Sequence, residues 1–422
     1  MNKKPIMLVA LLCALPAVSA LANSENQNVL TLQQALTQTE QQSPILKRYP
    51  YQQKIASALK SQAALSPNPV VSVEVENLLG TNDARGVQGA AFTLGLSQLI
   101  ELGNKRQSRI NYATANIKAQ TIEYKNMRLA LLATTTERYY QVLKYQALIA
   151  LNKERKRTVK QALNAIERRA VAGAVSAADV TRMRYALSQV ELSAAMLHSE
   201  FERARLALNE LWQQPLISDY YAGDLANVIS LKLKREQALL DAVNTAPEFA
   251  LLQQQYIQQT ANLSLQQANG ENDVTLAGGV RYNQQTDTSS LLLSFSMPLQ
   301  LSNANRGNIA AAEQQLKLLS QQQGQLRMQL RQQVRTLYAY YQGKTLQAKL
   351  LSQQVIPHAQ TLIKQSLNSY QQGQISVLQL LDAQQALFDS KRALITTHSE
   401  LYQLHLTLER LIGQPLIETE QS

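Results

Sequence analysis

The sequence predicts a mainly α-helical, internally duplicated chain with long coiled-coil-like helical hairpins and four β-strands. Three observations support this fold class. The chain matches itself at a shift of 200 residues. Two stretches of roughly 65 residues carry a helical pattern with almost no helix breakers. Two further pairs of short segments alternate apolar with polar residues, as half-exposed strands do.

The duplication is clearest in the second half of each copy. "QQPL" at Gln213–Leu216 returns as "GQPL" at Gly413–Leu416, and Arg168–Leu216 aligns with Asn368–Leu416 without a gap. The coinciding residues include Gly173/Gly373, Ser176/Ser376, Ala186/Ala386, His198/His398, Glu200/Glu400, Leu211/Leu411 and Pro215/Pro415. Only two copies occur, so the pattern indicates a duplication rather than a solenoid. We expect a first repeat over residues 23–216 and a second over 217–422.

The N-terminus has the pattern of a secretory signal over residues 1–22. Lys3 and Lys4 precede the apolar run Ile6–Val18, and small-residue cleavage sites follow at Ala17–Ala20 and Ala20–Ala22. This run is too short to span a membrane as a helix with proper flanks. We therefore expect the protein to be exported.

Cysteine and charge limit the possible classes further. The only cysteine, Cys13, lies in the predicted signal, and Leu12 before it is too bulky for a typical lipoprotein cleavage box. We expect a mature chain without a disulfide or lipid anchor. The net charge is +11, which could indicate nucleic-acid binding. Because the charges are scattered along helices of an exported protein, we expect solvated helix faces and no nucleic-acid partner.

The first repeat opens with a helical segment, Leu32–Ala64, in two pieces split near Ser43-Pro44. A β-hairpin over residues 70–98 follows, with strands Val70–Asn77 and Ala91–Gln98 on either side of a polar, Gly-rich loop. Valine, leucine and phenylalanine occupy one face of both strands, and polar residues or glycine occupy the other.

The second repeat has the same layout. A helix is predicted over Lys234–Gln267, and a β-hairpin over residues 274–301 contains strands Val274–Tyr282 and Leu291–Met297. Alternation again separates an apolar from a polar face, with Leu292 as the exception. No window holds some 18 consecutive apolar residues, so we expect no membrane-spanning helix.

Each β-hairpin is followed by a helical hairpin, over residues 104–212 and 305–412. The first helices, Asn104–Val171 and Asn305–Gln371, would each extend about 100 Å at 1.5 Å per residue. Pro357 is the one proline within them and predicts a kink. The returning helices are Ser176–Trp212 and Ser376–Ile412.

The turns of the helical hairpins have the same residues at key positions. Gly173 and Gly373 stand where a left-handed backbone is needed to end a helix. Ser176 and Ser376 are the expected N-caps of the returning helices.

Four strands are too few to form a membrane barrel alone. The predicted strands have about 8–12 residues, long enough to cross a bilayer when tilted. Unpaired backbone groups at an open edge would cost several kcal/mol each in lipid, and the smallest usual barrel has about 8 strands. If these strands enter a membrane, several chains must share one barrel. The other interpretation of any single alternating hairpin is a half-buried sheet on a soluble core.

With these features, the sequence resembles the TolC-like outer-membrane efflux proteins over nearly the whole mature chain. The matching motifs are "QGQISVLQLLDAQQAL" (Gln372–Leu387), "VIPHAQ" and "LERLIGQPL" (Leu408–Leu416). Within the family, "NPVVSVEVEN" (Asn68–Asn77) and "LSQLIELGNKRQSRI" (Leu96–Ile110) look most like the cobalt–zinc–cadmium efflux branch.

The resemblance implies a homotrimer that combines a shared twelve-stranded barrel in outer-membrane lipid with an α-helical barrel through the periplasm. The helical segments Leu32–Ala64 and Lys234–Gln267, together with the intervening irregular segments, would form a belt around its middle. The turns would face a periplasmic adaptor protein and, beyond it, an inner-membrane efflux transporter. The implied function is a passive exit duct, with metal cations as the cargo of the matching branch. Drugs and secreted proteins stay open as alternative cargoes.

The resemblance also implies roles for residues near the turns. Asp382 and its upstream companion Gln379 match positions that ring the pore entrance, and Asp179 and Tyr370 match positions that hold the entrance shut. Some relatives have a basic residue where this chain has Ile375. The implied adaptor contacts are Ala172, Gly173, Ala174, Val175, Ser176, Gln372, Gly373, Gln374, Ile375 and Ser376. The competing interpretations are a solvated Asp382, an unpaired Asp179 and Tyr370, and glycines that only form the turns.

The sequence offers no constellation for catalysis or for a resident metal. His398 and His405 are seven residues apart, too far for one ion in one chain, and the remaining histidines are His198 and His358. The equivalent positions of His198 and His398 in the two repeats indicate packing. We expect neither an enzyme nor a cofactor. The competing class is a periplasmic helical adaptor or scaffold without membrane strands.

Overall fold

The computed structural model describes residues 29–80, 86–213, 218, 220–230, 233–299 and 304–414. The predicted signal, the part of the first strand loop at residues 81–85, and the Pro-Leu pairs at 215–216 and 415–416 lie outside these residues. No helix in the described ranges has the length and apolar character needed to span a membrane.

The elements follow the same sequence in both halves. In chain order they are β1 (Val29–Leu30), α1 (Leu32–Gln42), α2 (Pro44–Lys47), α3 (Tyr49–Ala63), β2 (Val70–Glu76), β3 (Ala91–Ile100), α4 (Lys105–Val171), α5 (Ala177–Asn209), β4 (Tyr220–Tyr221), α6 (Glu236–Ala242), α7 (Pro247–Asn269), β5 (Val274–Asn283), β6 (Thr288–Ser296), α8 (Arg306–Leu350), α9 (Ile356–Gln371) and α10 (Val377–Ile412). Short 3₁₀ helices occupy Leu225–Ser230 and Val243–Thr245.

The four long strands form one antiparallel sheet in the order β2-β3-β5-β6. Residues directly opposite each other on paired strands point to the same side of a sheet. The register places Val73, Leu94, Val280 and Leu291 in one row across all four strands, each more than half exposed. The predicted alternation is therefore confirmed, and the apolar face has no cover in the single chain.

The other face of the sheet is polar. Glu74, Thr93, Arg281 and Ser290 form one row across it. The Arg281 guanidinium pairs with the carboxylate of Glu76 and donates to Thr93 Oγ1 at 3.1 Å. This cross-strand contact ties the hairpin of the first repeat to that of the second, because β3 and β5 are the strands that meet.

The helices form a layer that continues the order of the strands. Next to the sheet the neighbours run α3–α4–α7–α8, and next to the turns they run α5–α4–α10–α9. α5 ends beside the start of the α2–α3 segment, and Gly413 after α10 lies against Pro247 at the start of α7. The layer thus has two free edges along its length. One consists of β2, α3 and α5, and the other of β6, α8 and α9.

Where Pro357 predicts a kink, the second long helix has a π-helical turn over Leu351–Val355, which ends two residues before the proline. Proline has no N–H, and its ring collides with the carbonyl of the preceding turn. A π turn widens the helix and accommodates this collision. α4 has no proline and runs without interruption for 67 residues.

The helical segments before the strands are more divided than predicted. Leu32–Ala64 forms three helices rather than two, and Lys234–Gln267 is broken at Ala246-Pro247. Proline favours an extended conformation in the residue before it, and both Ser43 and Ala246 adopt ψ values beyond 120°. Pro50 near the start of α3 accounts for the additional break in the first repeat.

The implied belt is only partly present. α1 packs on the middle of α4, but α3 and α7 run beside α4 and α8 toward the sheet. A separate two-stranded parallel sheet, β1 with β4, was not predicted and adds two strands to the expected four. Its strands have two residues each, too few to show alternation.

The same middle region holds the largest buried cluster. It includes Tyr139, Tyr221 and Leu401, all less than 2% exposed. The Tyr139 hydroxyl donates to the carbonyl of Leu30 at 2.8 Å, which anchors β1 against α4.

Candidate functional site at the hairpin turns

The two helical hairpins end in turns with the same backbone. Gly173 and Gly373 adopt φ values of +73° and +75°. The Gly173 N–H donates to Ala170 O at 2.9 Å, and the Gly373 N–H donates to Tyr370 O at 3.0 Å. Glycine adopts positive φ without the steric cost that other residues have there. The predicted left-handed helix ends are therefore confirmed in both repeats.

Both returning helices begin with the predicted serine cap. The backbone N–H of Asp179 donates to Ser176 Oγ at 3.2 Å, and that of Gln379 donates to Ser376 Oγ at 3.3 Å. In the second turn the Gln379 side chain also accepts from the Ser376 N–H at 3.0 Å, which completes a capping box. Gln379 therefore has a structural role within the chain.

Most of the implied adaptor contacts are exposed. In each turn the residues from 172 to 176 and from 372 to 376 are accessible, except that Val175 and Ile375 are half-buried. These two side chains pack against a shared apolar cluster that contains Ile166, Met183 and Val377. Both hairpins contribute to this cluster, which holds the two turns at the same end of the molecule.

Tyr370 joins the hairpins at this end. Its ring is 6% exposed and packs in the shared cluster. Arg169 Nη1 donates to the Tyr370 carbonyl at 2.9 Å, and the guanidinium lies 5.0 Å from the centre of the phenol ring. Burial raises the pKa of the Tyr370 phenol, while nearby Arg169 opposes this effect and Asp179 adds to it.

Asp179 lies close enough to Tyr370 to affect its titration, but the two do not form a hydrogen bond within the chain. Asp179 Oδ2 accepts from Ser176 Oγ at 2.7 Å, and Oδ1 lies 3.6 Å from Arg182 Nη1. The Tyr370 hydroxyl is buried and has no hydrogen-bond partner among the described residues. The sequence analysis did not identify Arg169 as the cation beside Tyr370, because Arg169 belongs to the first repeat and Tyr370 to the second.

Asp382 is exposed on α10, two turns beyond the Ser376 cap. Its carboxylate forms no ion pair or hydrogen bond with any described residue. Further along α10, Lys391 Nζ lies 2.8 Å from Glu154 Oε1 of α4, which links the hairpins above the turns. Within a single chain Asp382 is therefore an unneutralised negative charge near the turn.

The histidines are not grouped for metal binding. In the described ranges, no cluster of three or more His, Cys, Asp or Glu side chains could hold an ion. His398 is buried at 6% exposure, and His405 is buried with Nε2 at 3.3 Å from Glu409 Oε1. His198 is exposed, so the packing role predicted for the equivalent pair holds only for His398.

The architecture defines the class of protein: a duplicated helical layer joined to an open four-stranded sheet. The family model described as "Outer membrane efflux protein" matches residues 35–213 and 239–414. The chain belongs to this family and is an outer-membrane protein.

Two curated relatives cover most of the chain. The cobalt-zinc-cadmium resistance protein CzcC of Cupriavidus metallidurans is 24% identical over 84% of this chain and 82% of its own length. The outer membrane protein TolC of Salmonella enteritidis is 22% identical over 93% of this chain and 83% of its own length.

Solved structures share the fold. The crystal structure of CusC superposes with a TM-score of 0.77 at 15% identity and covers 94% of this chain and 96% of its own.

Proposed function

We propose that the protein is the passive outer-membrane exit duct of a tripartite efflux pump, assembled as a homotrimer. The main support is the pair of free edges that runs along both the sheet and the helix layer. Such a layer is incomplete as a single chain.

The sheet provides the first argument. β2 and β6 each have one unpaired side, and the apolar face carries exposed side chains such as Leu291 at 73% and Leu293 at 83%. Unpaired backbone groups in lipid cost several kcal/mol each. If β2 of one chain pairs with β6 of the next, these edges are satisfied. Three copies would close a barrel of twelve strands, with the polar row around Arg281 facing the lumen.

The helix edges support the same closure. α5 exposes a line of apolar residues on one edge: Tyr185, Leu192, Met196 and Leu206, all above 50% exposure. The opposite edge exposes Leu346, Val355, Leu362 and Leu367, all above 40%. Two different edges that pack together form a heterologous interface, which closes into a ring when the rotation allows it.

The proposed cargo is heavy-metal cations. This choice is supported by the name of the relative CzcC, a cobalt-zinc-cadmium resistance protein. Deletion of the gene should sensitise cells to cobalt, zinc or cadmium, and re-expression should restore resistance. If deletion sensitises cells only to detergents and dyes, the cargo is drugs rather than metal cations. If deletion changes no tolerance, the result contradicts the duct.

The pore entrance is proposed to carry three copies of Asp382 around the axis. Like charges held near one another attract counter-ions, so the ring would favour cations. In planar bilayers, Asp382→Asn should lower the cation-to-anion permeability ratio. Glu191→Gln, which removes a carboxylate paired with Lys156 at 3.0 Å, is the control. An unchanged ratio in Asp382→Asn would contradict the ring. Gln379 would contribute to the entrance mainly through its capping role.

The closed entrance is proposed to depend on Asp179 and Tyr370, which would link neighbouring helices at the turn end. The nearness of Asp179 to Tyr370, which helps to raise the pKa of the phenol, supports this role. A phenol that donates to a carboxylate forms a strong charge-assisted bond. Tyr370→Phe and Asp179→Ala should each raise closed-state conductance. Closed-state conductance equal to wild type in both variants would contradict the latch.

The exposed residues of the two turns are proposed to contact the periplasmic adaptor, which passes substrates from an inner-membrane transporter.

The competing class, a periplasmic scaffold without membrane strands, disagrees with membership of the outer-membrane family. It also leaves the apolar face of the sheet uncovered.

A further inference from the structure

The distal half of α4 carries a line of cations that we call the basic stripe: Lys153, Arg157, Lys160 and Arg168. Their spacing of three, four or eight residues places them on one face of the helix, with Asn164 in the remaining position. All are exposed. None of the four cations forms an ion pair or hydrogen bond with a described residue.

Cations next to the basic stripe, by contrast, have partners on neighbouring helices. Lys156 pairs with Glu191 of α5 at 3.0 Å, and Arg184 of α5 pairs with Glu167 of α4 at 2.8 Å. On the other flank, Arg155 lies 5.9 Å from the ring centre of Phe388 on α10. Because α5 and α10 occupy these two flanks, the basic stripe faces away from both.

The basic stripe is also clear of the free edges. α4 lies between α5 and α10 of its own chain, so the edges that would pair with other copies are elsewhere. The stripe therefore stays accessible in the proposed trimer. Its charges have no partner among the described residues of this chain.

The second repeat provides an internal comparison. The positions equivalent to the basic stripe and Asn164 are Gln353, Pro357, Gln360, Lys364 and Asn368, all exposed. One of these five is a cation, although the two turns have the same backbone. The helix and the turn therefore do not require the four charges.

The stripe also has an energetic cost. Like charges three or four residues apart on a helix, such as Lys153 and Arg157, destabilise it. An acidic helix laid along this face would remove that repulsion and form exposed ion pairs. The repulsion between these cations lowers the stability of the free protein, and a bound anion would reduce it. Such a charge pattern indicates a binding role.

We propose that the basic stripe docks an acidic α-helical segment of a periplasmic partner protein, and that only the first helical hairpin provides this face. This inference rests on the proposed duct, which needs a periplasmic partner at the turn end. A helix with carboxylates every three or four residues matches the spacing of the cations. The binding would weaken with salt, because exposed charges are screened.

The test uses purified full-length protein in detergent and fluorescence anisotropy. The probe is a fluorescent helical peptide with glutamates at i, i+4, i+7 and i+11, and its partner probe has glutamines there. The test variant combines Lys153→Gln, Arg157→Gln, Lys160→Gln and Arg168→Asn, three of which install the second repeat's residue. The control variant combines Lys349→Gln and Lys364→Gln on the second hairpin, where both lysines are exposed.

Wild type and the control variant should bind the glutamate probe about tenfold more tightly than the glutamine probe at low salt. The test variant should lose this preference. A test variant that keeps the wild-type preference would overturn the proposal. So would a soluble peptidoglycan fragment or disordered polyglutamate that binds wild type as tightly as the helical probe, since the stripe would then be a general anion surface.

Bilayer conductance separates this proposal from the duct. The test variant should conduct like wild type, because the basic stripe lies outside the subunit edges. A wild-type protein that never conducts would contradict the duct. The probe titration would still show whether the basic stripe binds an acidic helix.

Discussion

The two helical hairpins have the same turn geometry but different surface charges. Both turns have a left-handed glycine followed by a serine cap. The first hairpin then carries Asp179 and Arg182, and the second carries Gln379 and Asp382 at the equivalent positions. The backbone determinants have stayed fixed while the exposed residues have diverged. This contrast indicates that the turn geometry does not depend on these charges.

The hairpins also differ in the helix that leads to each turn. α4 is continuous, whereas the second repeat has a π turn before Pro357. An interrupted helix has fewer regular backbone hydrogen bonds at the break and can change direction there. The second hairpin is therefore the one whose first helix is interrupted between the layer and its turn.

The largest effect on stability is expected in the shared apolar cluster at the turns, to which the first hairpin contributes more of the buried residues than the second. Ile166 is fully buried, and its equivalent in the second repeat is Ser366. Ile166→Ala should destabilise the turn end by about 2–5 kcal/mol because it leaves a cavity. Thermal unfolding monitored by circular dichroism measures the loss. Val171→Ala, at a site 92% exposed, is the control and should change little.

A smaller and equal effect is expected at the two glycines. A Cβ added to Gly173 or Gly373 would meet no atom within 4 Å, so only the left-handed backbone opposes it. Gly173→Ala and Gly373→Ala should each lower the free energy of unfolding by about 1–2 kcal/mol. Gly324→Ala within α8 should instead stabilise by about 0.5–1 kcal/mol. Unequal costs at the two turns would show that their shared geometry does not determine their stability.

The smallest effect concerns the equivalent histidines. Burial lowers the pKa of His398 below its ordinary value of 6.5, although Asp224 partly opposes this shift. The folded state therefore favours the neutral imidazole, and its contribution to stability should be lost as pH falls from about 6.5 toward the lowered pKa. His398→Gln should flatten this part of the stability profile, and His198→Gln at the exposed site should not. If both variants keep the wild-type dependence of stability on pH, burial of His398 does not have the assigned effect.

The local features of the fold could be predicted from the sequence. The left-handed glycines, the serine caps and the strand faces each depend on a few adjacent residues, and all three agree with the structure. The length of α4 follows from the absence of proline over the whole run. These features arise from the conformational preferences of the residues themselves, so they can be predicted without knowledge of tertiary packing.

Features that depend on tertiary packing could not be predicted in this way. Arg169 contacts a residue 201 positions away, and no sequence pattern joins them. The strands β1 and β4 exist because Tyr139 and Gln146 of α4 bind their backbones. His198 and His398 share a repeat position, but α10 lies inside the layer and α5 lies at its edge. The same position is therefore buried in one repeat and exposed in the other.

The central claim is that the two free edges of one chain pair with those of its neighbours. Tyr185 on α5 and Leu362 on α9 are exposed at opposite edges, and both lie near the turn end. Because the predicted signal contains the only cysteine, Tyr185→Cys with Leu362→Cys would add the only two thiols of the mature chain. Oxidation of outer membranes that contain the double variant should give covalent trimers, while each single variant should stay monomeric on denaturing gels. A double variant that is present in the membrane and gives only monomers would contradict ring closure.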